Sequence, residues 1–170
     1  MRIKRLGFLC LNRDMNYLIC GFSGAGKSHL LNKISQSKDY ANYQCIDLDE
    51  KIFSIHGDGN KDLGELIEAR GFDWFRAVEQ KVLKELLQNE NQWISLGGGT
   101  LNQELISYID QQTNIKGLWL NTDFETCWKR ISTDVSRPLT KEGQEKMHQR
   151  YLERNKLYSH FDVLSIKDFI

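Results

Sequence analysis

Between an apolar run ending at Cys20 and an amphipathic run starting at Lys27 lies Gly21-Phe22-Ser23-Gly24-Ala25-Gly26-Lys27-Ser28. The segment fits G-x-x-x-x-G-K-[ST], and no other stretch constrains the fold as tightly. Gly21, Gly24 and Gly26 permit backbone dihedrals that turn several N–H groups toward one anion. A helix beginning at about Lys27 adds its N-terminal dipole to that field. Lys27 can reach the β- and γ-phosphates of a nucleotide, and the Ser28 hydroxyl can coordinate Mg²⁺. The motif predicts a strand, a phosphate-binding turn and a helix, in that order. It leaves the reaction open, because such a loop serves motors, switches, kinases and nonhydrolysing regulators alike.

The rest of the chain repeats the same alternation. Apolar strands are expected at Tyr17–Cys20, Tyr43–Ile46, Trp93–Leu96, Gly117–Leu120 and Asp162–Ile166. Helical patterns fall at Lys27–Ser35, Asp49–Ile55, Leu63–Arg70, Asp73–Gln88, Asn102–Gln111, Asp123–Ile131 and Glu142–Lys156. Alternating β and α segments predict an α/β fold in three layers, with a five-stranded parallel sheet between helices. Residues 15–170 are expected to form one domain, and residues 1–14, ahead of Met15, a loosely attached extension. Ligands of such sheets bind beyond the carboxyl ends of the strands. Here those ends are Gly21, Asp47 and Gly97.

Composition removes several function classes. Lys and Arg number 23, as do Asp and Glu, so the formal net charge is zero. That excludes bulk attraction to nucleic acid or to an anionic membrane surface. No run approaches the roughly 18 apolar residues of a membrane span, and the N-terminus lacks the long apolar region of a signal peptide. Cys10, Cys20, Cys45 and Cys127 include no C-x-x-C pair and are expected to be free thiols of a reducing cytoplasm.

Four further segments carry chemistry. Asp47 and Asp49 sit two apart at a strand tip: one can hold water around Mg²⁺ and the other can orient or deprotonate a hydroxyl. Asp49 is also a natural N-cap for the helix that follows, and the two roles are compatible. Arg76 and Glu79 stand at i, i+3 on a helix, placed either to pair in a site or to form an ordinary exposed salt bridge. Gly97-Gly98-Gly99 suggests close approach of a ligand to the backbone, against the simpler reading of a flexible turn. Arg137, beside the single proline Pro138, lies in a polar segment able to close over a triphosphate. On the last long helix, Arg154 can join Arg76 in a bidentate clamp on a carboxylate, although arginines at i, i+4 such as Arg150 and Arg154 ordinarily face solvent.

In this order the motifs resemble those of the shikimate kinase family over about Asn16 to Val163. The family pattern is a phosphate loop (Gly21–Ser28), D-x-D (Asp47–Asp49), F-R-x-x-E (Phe75–Glu79), G-G-G (Gly97–Gly99), an R-P-L lid (Arg137–Leu139) and R-x-x-L-Y (Arg154–Tyr158). The resemblance implies a mobile lid over about 133–143 and ATP-dependent phosphorylation of the shikimate 3-hydroxyl, in a cytoplasmic monomer. It assigns the nucleotide to Gly21, Gly24, Ala25, Gly26, Lys27, Ser28, His29, Arg130 and Arg137. The metal falls to Ser28 and Asp47. Substrate falls to Asp49, Arg76, Glu79, Gly97, Gly98, Gly99 and Arg154. Lys27, Asp49 and Arg137 are implied to be catalytic, and Arg130 to stack on adenine. Three departures stand out, one of them a short lid-to-helix segment, Thr140–Gly143. Arg154-Asn155-Lys156-Leu157-Tyr158 has lysine where the family commonly has proline. Only Lys167–Ile170 follow the last strand, where the family carries a further helix near the nucleotide. Kinases of gluconate or of a nucleoside monophosphate, and a noncatalytic nucleotide-binding relative, are the alternatives.

Overall fold

The computed structural model describes residues 14–134 and 138–164. Arg137, Cys10 and nearly all of the expected extension lie outside the described residues. In chain order the elements are β1 (Asn16–Cys20), α1 (Lys27–Gln36), β2 (Gln44–Asp47), α2 (Leu48–His56), α3 (Leu63–Arg70), α4 (Phe72–Leu86), β3 (Gln92–Ser95), α5 (Gln103–Asp110), β4 (Ile115–Leu120), α6 (Phe124–Ile131), α7 (Gln144–Tyr158) and β5 (Asp162–Leu164). Short 3₁₀ turns occupy Lys38–Tyr40 and Pro138–Glu142; periodicity does not reveal turns this brief.

All neighbouring strands pair in parallel, in the order β2-β3-β1-β4-β5. The five-stranded sheet expected from the alternation is present. Every residue of β1 is buried, Asn16 and the apolar run Tyr17–Cys20 alike, as befits a central strand covered on both faces. The chain leaves β1 toward β2 on one side and later returns to β4 on the other. The crevice above β1 is therefore the switch point where ligands bind. The Leu96 N–H donates to the Ile19 carbonyl at 2.9 Å, which holds the glycine run after β3 beside the phosphate loop after β1.

Helix α1 buries Leu30, Leu31 and Ile34 and packs on β2 and β3. Helix α5 packs on β4, whereas α2, α3 and α4 pack on one another. The α4 stripe buries Phe75, Val82 and Leu83, with Leu87 buried just beyond its end. Two features there differ from expectation. Glu79, not an apolar residue, completes the buried face of α4. The N-cap of α2 is Asp47 rather than Asp49. Asp47 keeps extended backbone dihedrals, so its Oδ1 can accept from the Asp49 and Glu50 N–H groups at 3.1 and 3.4 Å. Asp49 is already inside the first turn, and its carboxylate is released from capping.

At the opposite end of the sheet, Tyr17 stacks on Trp93 with ring centres 4.3 Å apart. Asn16, fully buried, ties β1 to its neighbours there. Its Nδ2 donates to the Asn89 carbonyl at 2.7 Å, and its Oδ1 accepts from the Gln92 N–H at 3.1 Å. Replacing it leaves the buried Gln92 N–H without its partner and removes the tie to the Asn89 carbonyl. Asn16→Ala is expected to lower stability by about 1–3 kcal/mol, measured by urea unfolding; no loss would show that water replaces both partners.

Candidate active site

A cleft of about 520 Å³ opens at the carboxyl ends of β1, β2 and β3. Ser23, Gly24 and residues 26–29 of the phosphate loop line one side, and Asp47, Asp49, Arg76, Glu79, Gly97, Gly98, Gly99, Arg130 and Arg154 line the rest. Nearly all residues singled out in the sequence meet here. Gly21 and Ala25 support the loop from beneath: a side chain at Gly21 would strike the Leu120 carbonyl, and Ala25 is buried.

Gly24 and Gly26 have φ of 81° and 102°, a region that side chains rarely tolerate. Gly26 caps α1 with no side-chain acceptor, and the first turn carries no acidic residue. The N-terminus of α1 therefore keeps its partial positive charge for a ligand. Lys27 folds back over the loop, its Nζ donating to the Gly21 and Phe22 carbonyls at 2.8 and 3.1 Å. From the α6 side, the Arg130 guanidinium donates to the Gly24 carbonyl at 2.9 Å. His29 stands exposed at the rim.

Asp47 divides its oxygens between two tasks. Oδ1 caps α2, and Oδ2 accepts from the Ser28 hydroxyl at 2.7 Å. A hydroxyl and a carboxylate oxygen beside the phosphate loop suit Mg²⁺, a hard ion that keeps water and phosphate oxygens as its other ligands. Among the described residues no cluster of three or more His, Cys, Asp or Glu forms a protein cage for a metal.

The other half of the cleft is built on the three glycines. A Cβ at Gly97 would lie 2.7 Å from Asp49 Oδ1, 2.8 Å from Glu79 Oε1 and 2.9 Å from Thr100 Oγ1. A Cβ at Gly99 would strike the Arg76 guanidinium and sit 2.8 Å from Arg154 Nη2. None of these glycines needs a positive φ. The protein's own carboxylates and guanidinium groups crowd this backbone, and that is what excludes side chains.

Glu79 is fully buried and pairs with Arg76, which rules out the ordinary exposed salt bridge. Arg154 also leaves solvent: its guanidinium lies 5.7 Å from the centre of the Phe22 ring. Burial, with Arg76 nearby, pulls its pKa below the usual arginine value. Arg150, one turn away, turns outward to Glu142 at 2.8 Å, so the i, i+4 pair is split between surface and cleft. Two cations converging over Gly99 call for an anion there, and a planar carboxylate matches their geometry.

Burial pushes the Asp49 carboxyl up to about 6, aided by Glu79 and Asp47 and opposed by Lys27 and Arg76. At neutral pH it is largely ionised and basic enough to accept a proton. Three contributors lacked an assigned role in the sequence reading. Thr100 and Tyr158 are polar groups hidden at the ends of quoted motifs, and Ser23 is a variable position of the loop. The Tyr158 hydroxyl donates to the Gly98 carbonyl at 2.5 Å, and Ser23 Oγ faces Gly98.

A parallel α/β sheet with a phosphate loop at its central strand, a basic carboxylate and an anion-seeking cleft define a small-molecule kinase of the phosphate-loop class. The family model described as shikimate kinase matches residues 23–168, and the chain belongs to the shikimate kinase family. The shikimate kinase of Persephonella marina is 28% identical over 148 residues, covering 87% of this chain and 86% of that one. That of Sulfurihydrogenibium sp. is 32% identical over 143 residues, covering 84% and 82%. The crystal structure of the Aquifex aeolicus enzyme is similar with a TM-score of 0.74, 27% identity and 91% coverage of both chains.

Burial of Asp49, with Glu79 and Asp47 close by, has a consequence for stability. Its folded pKa is above the unfolded value of 3.8, so ionised Asp49 destabilises the fold at high pH, and the cost fades as pH falls below about 6. Asp49→Asn is expected to stabilise the protein at pH 8 by about 1–3 kcal/mol, a rise in Tm of about 2–8 °C, and by less at pH 5. An unchanged or lower Tm at pH 8 would contradict the cost of burying ionised Asp49.

Proposed function

We propose that residues 15–170 act as one kinase domain that moves the γ-phosphoryl group of ATP to the 3-hydroxyl of shikimate, giving shikimate 3-phosphate and ADP. One observation carries the choice of acceptor: Arg76 and Arg154 converge over Gly99 in the same cleft as the phosphate loop and Asp49. That arrangement favours a hydroxylated carboxylic acid over a nucleoside monophosphate. Family membership favours shikimate over gluconate.

In this reading Gly24, Gly26 and the first turn of α1 cradle the phosphates, and Lys27 swings from the loop carbonyls to the β- and γ-phosphates. Gly21 and Ala25 shape that loop, His29 borders it, and Arg130 flanks the adenine. Ser28 and, through water, Asp47 hold Mg²⁺, which supplies neutralisation of phosphate charge. Arg76 and Arg154 take the substrate carboxylate in two-pronged contact, with Glu79 steadying Arg76. Gly98 and Gly99 present backbone N–H groups to the substrate, and Gly97 borders the site where Asp49, Glu79 and Thr100 crowd together. Asp49 receives the proton of the attacking hydroxyl. Arg137, in a lid over about 133–143, closes on the phosphates and excludes water. Catalysis is then positioning plus electrostatic stabilisation of the transferring group. The protein works as a cytoplasmic monomer. Among the described residues no helix is long and apolar enough to cross a membrane.

The lysine, the base and the metal-side carboxylate are all present in this chain, which disfavours a noncatalytic nucleotide binder. An ADP-release assay with Mg-ATP and a panel of shikimate, gluconate and nucleoside monophosphates tests the assignment. Turnover is expected with shikimate, and a rate no higher than the ATP-only control would reject it. Arg76→Ala is expected to raise the KM for shikimate about 10- to 100-fold and to change the KM for ATP by less than about threefold. Equal effects on both would contradict the clamp.

A further inference from the structure

The Glu79 carboxylate has two oxygens with different partners. Oε2 takes Arg76, and Oε1 takes the Thr100 hydroxyl at 2.6 Å. Thr100 is itself 1% exposed. Its N–H donates to the Gly97 carbonyl at 3.2 Å, and its own carbonyl accepts from Gln80 Nε2 at 3.2 Å. The residue is thus held on three sides, two of them by α4, the helix that carries Arg76, Glu79 and Gln80.

The terminal torsion of a glutamate is broad and roughly two-fold, so a carboxylate held by one partner can turn in its plane. A second partner on the other oxygen removes that freedom. A hydroxyl has a single proton to donate, and Thr100 commits it to Glu79. With the carboxylate fixed, Arg76 Nη1 is engaged on Glu79, while Nη2 of the same planar guanidinium is presented over Gly99 toward Arg154. Space beside the Oγ1–Oε1 bond is closed by Gly97, whose backbone leaves no room for a Cβ.

We propose that Thr100 is a positioning residue of the carboxylate clamp: through Glu79, its hydroxyl fixes the Arg76 guanidinium in the orientation that receives the substrate carboxylate. The inference deepens the reading of this cleft as a carboxylate-binding kinase site and rests on it. Thr100 stands behind the cleft and does not line it. Its loss therefore acts on recognition of one substrate and not on the nucleotide or the phosphoryl step.

The test compares wild type with Thr100→Val, which keeps the shape and deletes the hydroxyl, and with Thr100→Ser, which keeps the hydroxyl. Thr100→Val is expected to raise the KM for shikimate about 10- to 100-fold. The KM for ATP and kcat should stay within about threefold, and Thr100→Ser should restore the wild-type KM. Thr100→Ala replaces the valine variant if valine does not fold. A second readout needs no turnover: modification of Arg76 by phenylglyoxal, mapped by peptide mass, is expected to be faster in Thr100→Val than in wild type. An unchanged shikimate KM with unchanged Arg76 reactivity overturns the proposal, as does a parallel loss of ATP and shikimate affinity. If wild type fails to phosphorylate shikimate, the functional reading falls, and the Arg76 modification rate still decides whether Thr100 positions the arginine.

Discussion

Glu79 is withdrawn from water in the middle of the cleft, and a bare carboxylate there would cost several kcal/mol. Arg76 and Thr100 satisfy its two oxygens, and the surrounding architecture follows from accommodating that cluster. Gly97 has no side chain because Asp49, Glu79 and Thr100 occupy the space. Gly99 has none because Arg76 and Arg154 do. The negative charge of Glu79 helps to keep Asp49 basic. Arg76 and Arg154 bring their guanidinium groups together over Gly99, the proposed seat of the substrate carboxylate.

The phosphate side of the cleft rests on a different economy of groups. Asp47 serves as helix cap with one oxygen and as partner of Ser28 with the other. That division frees Asp49, one position inside the helix, to face the cleft. The sheet order places β1 between β3 and β4, so the loop after β1, the carboxylates after β2 and the glycines after β3 all open into one crevice. Sequence positions 23 to 154 are thereby gathered around a space of about 520 Å³.

Much of this was legible in the chain itself, for physical reasons. The strands and long helices announce themselves through apolar runs and helical stripes, and the observed ends differ from the expected ones by a residue or two in most elements. Spacing alone could not say which of Asp47 and Asp49 caps α2, because that depends on which backbone stays extended. The i, i+3 spacing of Arg76 and Glu79 fits a surface pair as well as a buried one, and only packing of α4 against the glycine turn settles it. Thr100 bonds to a residue 21 positions away, a contact no local pattern encodes. The glycine triplet reads as a place where a ligand approaches the backbone, whereas the groups seen against Gly97 and Gly99 are the protein's own.

At the centre of the proposed function, Arg76, held by Glu79, and Arg154 together read a carboxylate. The most direct measurement compares kcat/KM for shikimate with that for its methyl ester, which keeps the ring and all hydroxyl groups and removes only the negative charge. Charge-assisted contacts from Arg76 and Arg154 predict a loss of about 100-fold or more for the ester, with the KM for ATP unchanged. Equal kcat/KM for the acid and the ester would contradict the account.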